Sequence, residues 1–268
     1  MVNNKNLWDF LKLNNFLKNK KGLTLVEILV ATVIGSITVA TIYFSFGIFS
    51  STYLGIISKV QVSRDIRNAL TLVTKDVRLA GYTSKIPTQS GVAFSPFSTL
   101  PNKVIIEKNK GFNKNSNSYE TSSSADLLEV IYDQDRNTRV KVSYAKSNDN
   151  FLMRRLVKCL NVNCLNINEY EFSSQGFYDY VAIANTGLEA FKVKLFDSNG
   201  LELSSVAANQ AHFIRVSVLY SSANNGEVHK TEQEQNFNVE DFSFSRTDRY
   251  FRDMASVLIY PRNIQPLK

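Results

Sequence analysis

The alternation of hydrophobic and polar positions divides the chain into three stretches. From Leu23 to Phe49 it reads LTLVEILVATVIGSITVATIYFSFGIF, with a single charge, Glu27, and no proline. That exceeds the roughly 20 apolar residues that span a bilayer core and predicts a transmembrane helix at about 23–49. Beyond Phe49 the apolar positions become periodic. Ile56, Val60, Ile66, Leu70, Val73 and Val77 follow at spacings of three, four and six, as on one face of an amphipathic helix. Arg64, Asp65, Arg67, Lys75, Asp76 and Arg78 fall on its other faces. Arg78 in the last turn and Gly81 as C-cap mark the stop. The pattern predicts one long helix over 23–80, with Gly35, Gly47 and Gly55 as places for curvature or local melting.

Past Gly81 the period shortens to two, which predicts a β-rich domain over 81–268. The expected strands are Val104–Glu107, Asp126–Tyr132, Arg139–Tyr144, Phe151–Val157 and Tyr180–Ala184. Glu189–Phe196, Leu201–Val206, Phe213–Tyr220, Asn236–Phe244 and Ser256–Tyr260 complete the set. Turn-forming residues lie between several of them, at Asp133–Asn137, Asp197–Gly200 and Asn224–Gly226. Asn109–Ser124, rich in lysine, asparagine and serine, reads as a loop. The expected class is therefore α+β: a long N-terminal transmembrane and amphipathic helix packed on a C-terminal antiparallel β domain.

Charge adds an orientation. Of the formal net charge of +7, a net +4 lies in residues 1–22, where Lys5, Lys12, Lys18, Lys20 and Lys21 oppose Asp9. The basic balance comes mainly from this segment, so no nucleic-acid-binding surface follows from it. Lysines before the apolar run, with no comparable cluster until Lys59 and Arg64 after it, leave residues 1–22 in the cytoplasm and send the C-terminal domain across the membrane. The run is too long for a secretory signal peptide and lacks a clean small-x-small cleavage site. A carboxylate inside the membrane core costs at least about 2.5 kcal/mol on insertion scales, so Glu27 should be paired or functional.

The segment Lys20-Lys21-Gly22-Leu23-Thr24-Leu25-Val26-Glu27 resembles the processing site of type IV prepilins. The resemblance implies cleavage by a membrane prepilin peptidase between Gly22 and Leu23, making residues 1–22 a leader, and N-methylation of the new Leu23 amine. Leu23 stands where the family usually has phenylalanine, and the proline that many pilins carry within the apolar segment is absent. Glu27 falls at the family's fifth mature position, where its carboxylate pairs with the terminal amine of an adjacent subunit, or its own, and sets axial register. Glycine suits the scissile bond because it brings no side chain into a protease cleft.

The helix end Arg64–Tyr82, with its basic–acidic alternation and final Arg-x-Ala-Gly-Tyr, resembles that of PilW-type minor pilins. Gly187–Asp197, Ala211–Ser221 and Tyr250–Asn263 resemble that family's central, valine-arginine-valine and closing segments. The resemblance implies a pilin-like fold and a part in starting type IV pilus assembly, in a tip or priming complex. Partners would be other minor and major pilins, the prepilin peptidase and a PilY-type tip adhesin, with the chain in the inner membrane before assembly and on the pilus at the cell surface afterwards. J-type pseudopilins of type II secretion share the architecture and part of the helix pattern. A membrane-anchored periplasmic binding protein is the reading from another class.

Cys159 and Cys164 are the only cysteines. In the oxidising compartment that the topology implies they are expected to form a disulfide, and two thiols with no nearby histidine make a poor zinc site. Asp133, Asp135 and Asn137 alternate like the start of a calcium loop, but Thr138 and Tyr144 replace its glycine and closing glutamate, so a turn is expected. His212 and His229 have no nucleophile or ligand motif beside them, and no Walker A, GxSxG or GxGxxG sequence occurs. No enzyme, cofactor or metal is expected. Phe237, Phe242, Phe244 and Tyr250 are read as packing residues. Arg246, Asp248, Arg249, Arg252 and Asp253 are read as a solvated, mixed-charge edge.

Overall fold

The computed structural model describes residues 24–83, 103–116, 118–134, 138–159, 181–182, 187–204, 211–223, 228–229 and 231–263. The chain forms two units, Met1–Tyr53 and Leu54–Lys268. One helix, α1 (Leu25–Leu79), runs unbroken through Gly35, Gly47 and Gly55, so none of these glycines melts it. In the first unit its large apolar side chains are exposed. The hydroxyls there fold back on the helix: Thr32 donates to the Leu29 carbonyl, Thr38 to Ile34 and Thr41 to Ile37, each at 2.8 Å. This leaves few polar groups unsatisfied in an apolar surrounding.

Within the second unit α1 supplies Val62, Ile66, Ala69, Val73 and Val77 to a core completed by strands of two antiparallel sheets. The buried face differs in part from the expected stripe. Ile56 and Val60 are 55% and 60% exposed, while Ser58, Val62, Asp65, Ala69 and Asp76 are buried. Small residues let the helix approach the sheets closely, and two carboxylates expected on outer faces enter the interface because partners await them there.

The helix stops as expected. Gly81 has φ of 75°, Tyr82 N–H donates to the Leu79 carbonyl at 2.8 Å, and Gly81 N–H donates to the Ile131 carbonyl at 2.8 Å. A Cβ at Gly81 would also lie 2.7 Å from the Asn263 carbonyl oxygen. Glycine is required both by the left-handed backbone and by the close pass of the C-terminal segment.

The larger sheet has the order β1 (Val104–Glu107), β4 (Leu127–Asp133), β5 (Arg139–Lys146), β6 (Leu152–Cys159), β7 (Val181–Ala182). The second has the order β13 (Arg252–Ile259), β10 (Phe213–Ser221), β8 (Gly187–Phe196), β9 (Glu202–Leu203). Bonds from Asp126 N–H to the Phe191 carbonyl and from Phe191 N–H to the Ser124 carbonyl stitch the two sheets together. Of the ten expected strands Val104–Glu107 recurs unchanged and six recur with shifted ends; Tyr180–Ala184 and Leu201–Val206, which lie partly outside the described residues, are represented by Val181–Ala182 and Glu202–Leu203.

Two differences matter. The expected loop at Asn109–Ser124 contains a hairpin of β2 (Lys110–Asn113) and β3 (Ser118–Thr121), whose polar residues face solvent while Phe112 is buried. The single strand expected at Asn236–Phe244 is a hairpin of β11 (Gln233–Val239) and β12 (Phe242–Asp248), turned at Glu240, which has φ of 57°. Its inner aromatics, Phe237, Phe242 and Phe244, pack against a small core of Ala190, Leu219 and Val239.

Candidate processing and assembly site

The first turn of α1 is built by Thr24 and Glu27. Thr24 N–H donates to Glu27 Oε2 at 2.8 Å, the Thr24 hydroxyl donates to the same oxygen at 3.0 Å, and Glu27 N–H donates to Thr24 Oγ1 at 3.2 Å. This is a reciprocal capping box. It satisfies two orphan N–H groups of the helix start and points the carboxylate back toward the N-terminus. The Thr-x-x-Glu spacing was the sequence signal for it, and Thr24 is the residue that reading for chemistry overlooked. Gly22 and Leu23 lie outside the described residues.

Two charged clusters in the second unit, around Asp76 and Asp126, are internally paired. Asp76, buried on α1, accepts from Tyr132 Oη at 3.0 Å, from Arg154 Nε at 2.9 Å and from Tyr144 Oη. Burial, then the neighbouring Asp76 charge, pushes both tyrosine hydroxyls well above their ordinary pKa. They therefore remain neutral donors, and the helix is tied to β4, β5 and β6 at one point. Beside this cluster a cavity of about 440 Å³ is lined by Leu72, Tyr82 and Leu156 among others. Asp126 joins the two sheets: it accepts from Val193 N–H and Asn109 N–H at 2.9 Å each, and pairs with Lys108 at 3.2 Å and buried Lys192 at 3.4 Å.

The remaining expected sites resolve individually. Asp133 forms a buried pair with Arg139 at 2.7 Å, and Gln134 N–H donates to the Thr138 carbonyl. These contacts flank the expected turn, whose Asp135 and Asn137 lie outside the described residues. Arg252 does not belong to a solvated edge. Its guanidinium is buried and bidentate to Asp248 at 2.7 and 2.6 Å, stacked 4.9 Å from the Phe244 ring centre and 3.6 Å from Glu189. The hydrogen bond from Arg252 holds the Asp248 carboxyl below its ordinary pKa. Expected positions Arg246 and Asp253 fit the edge reading better, Arg246 being exposed. His212 and His229 donate through their backbone N–H groups to the Phe196 and Arg249 carbonyls. Among the described residues no group of three His, Cys, Asp or Glu side chains could hold a metal. Cys164 lies outside them, and Cys159 is described only as the last backbone position of β6.

Residues 17–43 match the family described as the prokaryotic N-terminal methylation motif. A type IV-like pilin from Thermus thermophilus shares 10% identity, with a TM-score of 0.45 over 77% of this chain and 98% of that one. No curated protein sequence matches the chain. The N-terminal methylation motif thus lies at the head of a long apolar helix whose second half packs on an antiparallel β domain. α1 is the one helix among the described residues that is long and apolar enough to cross a membrane.

Proposed function

We propose that this chain is the precursor of a minor pilin of the PilW type, acting in initiation of a type IV pilus. The observation that carries the reading is the methylation motif over residues 17–43, coinciding with a capped, single-carboxylate apolar helix start. In this account residues 1–22 remain in the cytoplasm, and the apolar half of α1 anchors the chain in the inner membrane with the β domain in the periplasm. The prepilin peptidase cuts between Gly22 and Leu23 and methylates the Leu23 amine. After cleavage the Leu23 amine lies one residue before the capping box. Glu27 then offers its carboxylate to the amine of an adjacent subunit. Because both charges leave water together, pairing favours one axial register.

The Cys159–Cys164 disulfide belongs to the same proposal, since it follows from export to an oxidising compartment. So do the partners: other minor and major pilins along the apolar helix, and a PilY-type tip adhesin on the β domain. Arg78-Leu-Ala-Gly-Tyr82 supports the PilW assignment, because Gly81 is where the helix end meets the closing segment at Asn263.

The experiment is a count of surface filaments on cells lacking the gene and on the complemented strain. The proposal expects few or no filaments without the gene and recovery on complementation. Normal filaments, together with proteins missing from the culture medium, would identify a J-type pseudopilin of type II secretion instead.

A further inference from the structure

Sheet edges expose unpaired N–H and C=O groups, and proteins protect them with short strands, lysines, prolines or bulges. Among the described residues three of the four outer strands of the two large sheets are short: β1 has four residues, and β7 and β9 have two each. The fourth, β13, has eight. It pairs with β10 without a register break from Arg252 to Ile259, contains no lysine, proline or glycine, and meets no strand on its other side among the described residues. Its one arginine, Arg252, is buried against Asp248 and does not guard the edge. Met254, Ser256 and Leu258 alternate on its exposed face, with Leu258 56% exposed.

Beside this strand runs an open groove of about 670 Å³ between β13 and the second half of α1. Leu70, Leu79 and Val257 give it an apolar floor. Its helical wall carries Arg67, Thr71, Thr74, Lys75 and Arg78, spaced as one stripe of a helix, and no carboxylate lines it. Arg67, Lys75 and Arg78 are exposed and make no ion pair among the described residues.

A long unguarded edge supplies main-chain hydrogen bonds to an added strand, and three unopposed cations alongside select the sign of its charge. We propose that β13 and this basic groove receive an extended acidic segment of a partner protein, which continues the four-stranded sheet. The segment's alternate side chains lie over Leu70 and Val257, and its carboxylates meet Arg67, Lys75 and Arg78. The proposal holds whether the chain serves a pilus or a secretion pseudopilus.

The test places a benzophenone amino acid singly at Met254, Ser256 and Leu258 in the full chain, with Leu201 as a control on a different exposed site. The variants are irradiated in cells that normally make the protein, and the joined segments are sequenced by mass spectrometry. The expected result is capture of one partner segment in which Asp and Glu outnumber Lys and Arg. The three positions should mark partner residues about two apart in sequence, as paired strands require. Combined Arg67→Glu, Lys75→Glu and Arg78→Glu should cut the yield at least about tenfold, beyond any change in the amount of folded protein. Lys75→Ala, which only truncates an exposed side chain, should lower it in the same direction. Joining to a neutral or basic segment, to another part of this chain, to a second copy or to lipid overturns the proposal. So does no joining at all, or a yield indifferent to both variants.

Discussion

At the scale of single residues, Glu27 and Gly81 show two ways a sequence position becomes obligatory. Glu27 has two roles: it caps α1 through Thr24 and, in the proposed filament, receives a terminal amine. Replacing it should separate processing from assembly. Glu27→Ala is expected to be cleaved normally but to enter filaments poorly, seen as processed protein retained in the membrane fraction. Thr24→Val keeps the carboxylate and should retain more assembly; if the two variants fail equally, capping rather than amine pairing is what matters. Gly81 is fixed by backbone geometry and by the nearby Asn263 carbonyl. Gly81→Ala should lower stability by about 2 kcal/mol or more, read from the denaturation midpoint, since a left-handed non-glycine residue alone costs of order 1–3 kcal/mol. A change near zero would mean that the closing segment moves away freely.

At the scale of elements, the junction of α1 with β4, β5 and β6 depends on Asp76. Asp76→Ala leaves the Arg154 guanidinium without its carboxylate and two buried hydroxyls without an acceptor. A loss of about 3 kcal/mol is expected in denaturant titrations. The tyrosines give this junction a pH dependence of definite sign. Tyr132 and Tyr144 have folded pKa values raised above the unfolded value near 10, so their contribution is complete below about pH 10 and is lost as pH rises beyond it. Melting temperature should therefore fall on the alkaline side, and Tyr132→Phe should flatten that fall; an equal slope in the variant would contradict the linkage. Asp76 also shows where sequence reading stopped. A charge on a helix reads as surface, because its three partners lie 56 to 78 positions away in sequence. The β2–β3 hairpin was missed since its Lys, Asn, Ser and Thr residues have loop composition, and only Phe112 signals burial. The β11–β12 turn was missed because Glu240 and Asp241 take the place of the usual glycine or asparagine.

At the scale of the whole molecule, the membrane-competent helix and the α+β class were legible because hydropathy and period are local properties. So was the stop of α1 at Gly81, whereas the Thr24–Glu27 cap at its start went unread because Glu27 stands out as a charge in an apolar run and Thr24 does not. The layout of the two sheets was not, since β13 pairs with β10 and β8 with β10 across long separations that alternation alone cannot specify. The central claim concerns how the N-terminus matures, and the most direct measurement is the intact mass and N-terminal sequence of the protein recovered from its native membranes. The account predicts a chain that begins at Leu23 with one added methyl group, and an unprocessed chain when Gly22 is replaced by valine. A wild-type chain that still begins at Met1, or one cut outside the Gly22–Leu23 bond, would contradict it.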